Sequence, residues 1–285
     1  MLPTVNSLSG GKTSSYLAAH YPADYDLFSL VCIDGHNAGG KIDKKVKQAV
    51  NDKLQKYCPH WPEFVATSED PRVLTAMLDL EQMIGREIIW LRGMSWEDMM
   101  FRVKKIMPNR TMRICTTLLK IVPIFEFLYM RGALPCNMRI GYRWDEKERA
   151  DDFDPYINFS PRAEFGFQNK QRWLHRWENF KWREGSFPLI DDKVSHYTVH
   201  KFWENKSIVF PLDSNCSFCF WKQKQQLRKN FDDNLPVMAW AMVMEALMDH
   251  TFLHDTSLRQ VSNLGLQLDF HFGTGSGCQA GFCTD

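Results

Sequence analysis

Ser7-Leu8-Ser9-Gly10-Gly11-Lys12-Thr13-Ser14-Ser15-Tyr16-Leu17-Ala18 (SLSGGKTSSYLA) lies close to the start of the chain and sets how the rest is read. It contains Gly-Lys-Thr, the end of a P-loop. The strict pattern also needs a glycine five positions before the Gly-Lys pair, where Asn6 stands. A phosphate-binding design survives that mismatch. Leu2 to Leu8, with apolar Val5 and Leu8, is predicted as a short buried strand. Ser9, Gly10 and Gly11 permit a tight turn with bare N–H groups. Thr13 to His20 continues as a helix with Tyr16 and Leu17 on one face. A strand, a small-residue turn and a helix N-terminus form an anion site, because orphan N–H groups and the helix dipole both favour negative charge.

Outward from this stretch, strands and helices alternate. Leu27 to Ile33 is a near-continuous apolar run, the pattern of a strand covered on both faces. It leads into Asp34-Gly35-His36. Ile42 to Tyr57 reads as a polar, solvated helix. Arg72 to Ile84 has apolar residues at helical spacing and stops at Gly85. Glu87 to Leu91 reads as the next strand, and Ser95 as a helix cap with acids behind it. Leu118 to Tyr129 is helical with Pro123 as a kink or break. Met138 to Tyr142 is a further strand, followed by Arg143-Trp144-Asp145-Glu146. This alternation predicts an α/β fold, an open, mostly parallel twisted sheet flanked by helices, with a helical or irregular C-terminal part. Two regions are expected: 1–150, an α/β nucleotide-binding core, and 151–285, carrying cysteine-rich segments. Ligands of such sheets sit at the carboxyl ends of strands. Ser9 to Ser14, Asp34 to His36 and Gly141 to Glu146 are therefore expected to converge.

The chain has 285 residues, 44% hydrophobic and 24% charged, with a net charge of +1. That suits a globular chain with a sizeable core and gives no overall basic field. No apolar run is long enough for a membrane span and no signal peptide is visible, so a cytoplasmic location without a membrane partner is expected. Lys170 to Arg183 (KQRWLHRWENFKWR) is basic and aromatic. It reads as an amphipathic helix with its tryptophans inward, or as a surface that stacks bases and neutralises phosphates. The methionines of Pro236 to Phe252 read as core filler in an apolar helix.

Of the eight cysteines, Cys216 and Cys219 form a C-x-x-C pair able to face one metal or cluster. Cys115 and one of the tail cysteines, Cys278 or Cys283, would complete a four-thiolate site. Cys283 is preferred, because Gly281-Phe282-Cys283 sets flexibility beside an anchoring aromatic. Zinc and an iron–sulfur cluster both accept four thiolates. Cys32, Cys58 and Cys136 read as structural.

Four motifs carry a family resemblance: Ser9-Gly10-Gly11-Lys12-Thr13-Ser14; Arg113-Ile114-Cys115-Thr116-Thr117-Leu118-Leu119-Lys120; Ile140-Gly141-Tyr142-Arg143 with Asp145, Glu146, Arg149 and Ala150; and Asn215-Cys216-Ser217-Phe218-Cys219-Phe220-Trp221-Lys222. In this order the chain resembles the phosphoadenosine phosphosulfate reductase-like branch of the adenine nucleotide α-hydrolase-like, or PP-loop ATP pyrophosphatase, superfamily. It looks like phage and mobile-element members and like the sulfur-transfer proteins of DNA phosphorothioation. The resemblance implies ATP or a related adenine nucleotide in the cleft, with Mg2+. Ser9 to Ser14 would cradle phosphate, and strand-end backbone at Ile33, Asp34 and Gly141 would hold adenine. Lys12 and Arg143 would act on the departing pyrophosphate, with Arg113 as a further charge partner. Asp145 and Glu146 would orient Arg149 or hold a metal. Cys115, Cys216, Cys219 and Cys283 would bind a [4Fe-4S] cluster, or Zn2+ as the alternative.

Two departures bear on the reaction. Thr13 stands where many pyrophosphatase members have aspartate. The tail reads Phe282-Cys283-Thr284-Asp285 in place of the reductases' Glu-Cys-Gly-Leu-His, and no Cys-Cys pair is present. The leading expectation is thus adenylation with pyrophosphate release for sulfur transfer, with nucleic acid as a candidate acceptor. A sulfur donor or thiol reductant would serve as partner, and a homodimer is a candidate assembly. The alternatives are a sulfonucleotide reductase using Cys283 or Cys278, and a non-catalytic nucleotide- or nucleic-acid-binding module with structural zinc.

Overall fold

The computed structural model describes residues 1–265 other than 41, 104, 105, 169 and 213, with side chains described outside 161–175. Cys278 and Cys283 lie outside the described residues. In chain order the elements are β1 (Thr4–Leu8), α1 (Lys12–His20), β2 (Tyr25–Ser29), β3 (Cys32–Ile33), α2 (Lys44–Tyr57), β4 (Ala66–Thr67), α3 (Arg72–Ile84), β5 (Ile88–Leu91), α4 (Ile114–Thr116), α5 (Val122–Met130), β6 (Cys136–Arg139), β7 (Tyr156–Gln168), β8 (Lys170–Lys181), β9 (Arg183–Ser186), α6 (Pro188–Asp191), α7 (His196–Glu204), α8 (Lys224–Asp233), α9 (Leu235–Met248) and α10 (Leu258–Ser262).

Five strands form a central sheet in the order β5-β2-β1-β6-β9, and every pairing is parallel. The fold is therefore α/β. Alternating residues along the strands feed opposite cores. Phe28 and Trp90 pack with Leu17, Val73, Leu80 and Trp203 on one side. Leu27, Ile89, Leu91 and Met138 pack with Phe125, Leu128 and Trp182 on the other. Apolar residues on both strand faces are what a parallel sheet covered twice requires. One polar rung is buried in it. Asn6 Nδ2 donates to Asp26 Oδ1 at 2.7 Å, and Arg86 pairs with Asp26 at 3.0 Å. A third core joins Val31, Ile33, Trp96 and Leu119 to Phe218, Trp240 and the helices α8 to α10.

From β1 the sheet builds first through β2 to β5, then reverses through β6 to β9. The reversal lies between β1 and β6, so the loops after these two strands open into one crevice.

Several elements differ from the sequence reading. Leu27 to Ile33 is not one strand. Leu30 N–H still donates to Leu91 carbonyl at 2.8 Å, but Val31 carbonyl accepts from Ser68 N–H at 3.1 Å, and Cys32–Ile33 pairs antiparallel with β4. The run stays apolar because both pairings are buried, so hydrophobicity hides the change of partner. The reading of Lys170 to Arg183 as an amphipathic helix is overturned: Lys170–Lys181 is a strand, paired antiparallel with β7. Trp173 and Trp177 are four apart, a spacing that shares one face in a helix and equally in a strand. The sheet also does not stop at residue 150, because β9 pairs with β6. Helix α3 ends as expected at left-handed Gly85, and Ser95 Oγ accepts from Asp98 N–H at 3.2 Å as a cap does. Helix α9 buries Met238 and Met244. No helix among the described residues is long and apolar enough to cross a membrane.

Gly10 has φ +75°, and a Cβ there would sit 2.3 Å from Val73 Cγ1. Gly10→Ala is expected to cost about 1–3 kcal/mol through left-handed strain and overpacking. Denaturant unfolding checks this, and a loss under about 0.5 kcal/mol would mean that the loop relaxes freely.

Candidate functional site

At the turn after β1, the Ser9 N–H donates to Ser14 Oγ at 3.1 Å, and Ser14 Oγ donates to Gly11 carbonyl at 3.2 Å. These bonds fold the turn back on the start of α1. Extended Gly11 caps the helix without a side chain, and the first turn carries no acidic residue. The N–H groups of Lys12, Thr13 and Ser14 have no carbonyl one turn earlier, so donors and dipole face the mouth of the crevice together.

The loop after β6 closes against this turn. A Cβ on Gly141 would lie 3.2 Å from Ser14 Cα and 3.3 Å from its nitrogen. Arg143 Nη1 donates to Thr13 Oγ1 at 3.2 Å. The same guanidinium pairs with Asp145 at 3.0 Å and Glu146 at 3.1 Å, while Glu146 also holds Arg149 at 3.0 Å. Burial alone would raise the Asp145 carboxyl, but the hydrogen bond and charge of Arg143 hold it below the usual range. Asp145 Oδ1 accepts the His196 N–H at 3.0 Å, and Trp203 Nε1 donates to the Lys12 carbonyl at 2.8 Å. Helix α7 is thereby seated beside the turn. Burial, then the charge of Arg143, lower the His196 pKa.

Of the residues expected at the nucleotide, Ser9 to Ser14, Gly141 and Arg143 come together. Ile33 and Asp34, at the end of β3 and in the loop after it, have partners of their own. Ile33 is fully buried in the third core. The N–H groups of Asp34 and Gly35 donate to Glu97 at 3.1 and 2.9 Å, and Asp34 pairs with buried Arg92 at 3.1 Å. Glu97 in turn accepts from Trp240 Nε1 at 3.0 Å, so this loop is tied to α9.

Cys115, Cys216 and Cys219 line one cavity of about 560 Å³. Cys115 sits in α4, which runs into widened turns over Thr117–Ile121 and then α5. Pro123, near the start of α5, has no N–H to give the preceding turn, which accounts for the widening. The C-x-x-C segment is a tight turn, with Cys219 N–H donating to Cys216 carbonyl at 2.9 Å. It is fixed to the loop after β4 by Ser217 N–H to Ser68 carbonyl at 2.6 Å and by Ser68 Oγ at 3.0 Å from Cys216 Sγ. Burial pushes the Cys115 thiol up to about 12, and charge on Cys219 adds to it. Burial also raises Cys216, again with a contribution from Cys219. A metal's positive charge is what stabilises thiolates that burial disfavours. Among the described residues, no three His, Cys, Asp or Glu side chains form a group that could hold a metal ion. The three thiols line one cavity without forming such a group, and Cys283, the expected fourth ligand, lies outside the described residues. Arg113 stands over the Trp221 ring at 6.0 Å, on the thiol side.

Sequence reasoning gave no role to the residues that join the two halves. Lys120 lines the thiol cavity and also a second cavity of about 340 Å³ that reaches Ser7, Ser9 and Ser29. Its amine pairs at 3.0 Å with Glu69, which is 0% exposed. Glu69 Oε2 is buried with no hydrogen-bond partner among the described residues. Ser214, next to the C-x-x-C segment, approaches Gly11 so closely that a Cβ there would lie 2.8 Å from Ser214 Oγ. No local pattern announces Glu69, His196, Trp203 or Ser214, since each acts on a residue more than 50 positions away.

Compared with protein-family models, curated proteins and solved structures, the chain matches none.

Lys120→Met strands Glu69 in the interior and is expected to cost about 3–5 kcal/mol. Glu69→Gln combined with Lys120→Met should recover at least half of that loss, read by denaturant unfolding as a double-mutant cycle. Strict additivity would show that the pair does not couple.

Proposed function

We propose that the chain binds an adenine nucleotide with its phosphates on the Ser9 to Ser14 turn, and activates a substrate by adenylation with release of pyrophosphate for sulfur transfer. The observation that carries this reading is the position of Lys120. One residue lines both the cavity reaching Ser9 and the cavity of the three thiols.

The departing diphosphate needs donors at its oxygens. The N–H groups of the α1 first turn, the Ser9 hydroxyl and the Lys12 amine supply them without reorganising. Arg143 is held by two carboxylates against Thr13, so its charge is oriented before any ligand arrives. In the reaction a substrate oxygen bonds to the α-phosphorus, and the bond from that phosphorus to the pyrophosphate oxygen breaks. Asp145 and Glu146 are committed to arginines, so they fit the role of orienting Arg143 and Arg149 better than that of magnesium ligands. Mg2+ would then enter held chiefly by the nucleotide phosphates, as it commonly is.

Cys115, Cys216 and Cys219, with Cys283 from the tail, are the residues that would hold a [4Fe-4S] cluster. When bound, such a cluster supplies iron sites for sulfur or electron transfer.

Protein purified without oxygen should contain iron and acid-labile sulfide in about equal amounts. With ATP and acceptor it should release pyrophosphate. Lys12→Ala should lower that release about 100-fold or more, with iron content unchanged. Cys216→Ser should lose iron while keeping nucleotide binding. Sulfite formed from adenylyl sulfate and thioredoxin, without pyrophosphate from ATP, would replace this reading by the reductase one. One zinc, no sulfide and no turnover would replace it by a structural clamp.

A further inference from the structure

The cavity of about 340 Å³ lies at the carboxyl ends of β1 and β2, on the sheet face away from α1. Ser7 and Ser29 follow Val5 and Leu27 at the two-residue repeat of a strand, so they face the core of Phe125 and Trp182. Ser9, Lys120, Trp182 and Arg183 also line the cavity. Ser9 belongs to the turn after β1 as well, so cavity and turn are neighbours that share one residue.

Two observations point to an occupant. Trp182 is 0% exposed, and its Nε1 is buried with no hydrogen-bond partner among the described residues. An N–H left unmet in an interior costs free energy that a bound acceptor returns. The second observation is the sign of the walls. Lys120 and Arg183 line the cavity, and among the described residues that line it none is acidic. Glu69, which meets Lys120 at 3.0 Å, is not one of the walls. Arg183 is itself buried. Its Nε donates to the Asp154 carbonyl at 3.2 Å, and its guanidinium lies 4.7 Å from the Trp182 ring centre, so these contacts hold a cation beside the indole. The hydroxyls of Ser9 and Ser29 are bonded to Ser14 and to the Leu119 carbonyl. The indole and the two cations therefore set the character of the site. Water would satisfy the indole alone, but a cavity walled by one sign of charge favours an occupant of the other sign.

We infer that this cavity binds a small oxyanion, separately from the phosphates on the Ser9 to Ser14 turn. Trp182 donates to one oxygen of the anion, and Lys120 and Arg183 balance its charge. The site goes beyond the proposed adenylation and does not rest on it, since it needs neither nucleotide nor cluster.

The test follows the indole N–H signals of the full chain by nuclear magnetic resonance, with Trp182→Phe identifying the Trp182 signal among those of the ten tryptophans. Sodium sulfate, sodium phosphate and sodium acetate are titrated at constant ionic strength, with and without a non-hydrolysable ATP analogue. At least one anion should move the Trp182 signal downfield along a saturable curve, and comparison of the three tells a tetrahedral occupant from a planar carboxylate. The shift should persist in Lys12→Ala and with the analogue bound. By calorimetry, Trp182→Phe should weaken binding of that anion about tenfold or more. Ser7→Val, which fills the cavity with apolar volume and leaves the indole in place, should do the same while analogue binding stays unchanged. A Trp182 signal that none of the three anions moves would overturn the inference. So would a shift lost in Lys12→Ala or with the analogue bound, because the anion would then sit on the phosphate turn. Undiminished affinity in both cavity variants would overturn it too. A persisting Trp182 shift in a chain that binds no analogue would remove the nucleotide reading alone, and analogue binding without the shift would remove this one alone.

Discussion

Two absent side chains let the crevice close. With no Cβ on Gly141, the loop after β6 lies against the backbone of Ser14, and with none on Gly11, Ser214 lies against the turn after β1. Every other feature of the site follows from these two approaches. The first brings Arg143 within reach of Thr13 and places Asp145 where it holds the start of α7. The second draws the segment leading into Cys216 across the turn. A methyl group at Gly141 would press on the Ser14 backbone, and one at Gly11 would need the Ser214 hydroxyl to move.

Between the two halves stands an ion pair whose acid is wholly buried. Glu69 is wholly buried, and its carboxyl is raised by burial while Lys120 pulls it back. A buried pair of this kind is seldom the cheapest way to stabilise a core. Its value lies in position: it fixes Lys120, a residue that lines both cavities. The widened helical turns before Pro123 serve the same end, since Cys115, Leu119 and Lys120 all lie in or next to them.

The C-terminal part extends the α/β core at several points. Strand β9 completes the sheet, α7 seats on α1, and α9 reaches the loop after β3 through Trp240 and Glu97. Against this integration the β7–β8 ribbon is the exception, a two-stranded sheet apart from the central one.

Much of this was legible before any coordinate. The glycine turn, the helix behind it, the apolar strands and the C-x-x-C pair each obey rules that act within a few residues, so the sequence determines them directly. Backbone freedom at Gly10, the stop at Gly85 and the cap at Ser95 are local in the same sense. What tertiary structure decided are choices between equally good local answers. Apolar Leu27 to Ile33 suits one long strand or two short ones, and only the neighbours β5 and β4 divide it. Tryptophans four apart suit a helix or a strand, and β7 makes β8 a strand. Lys120 carries no sign of its partner 51 residues away. Local rules fix conformation through backbone sterics and hydrogen-bond reach. Partners are fixed by which surfaces the folded chain brings together, and that is settled only when the whole chain has packed.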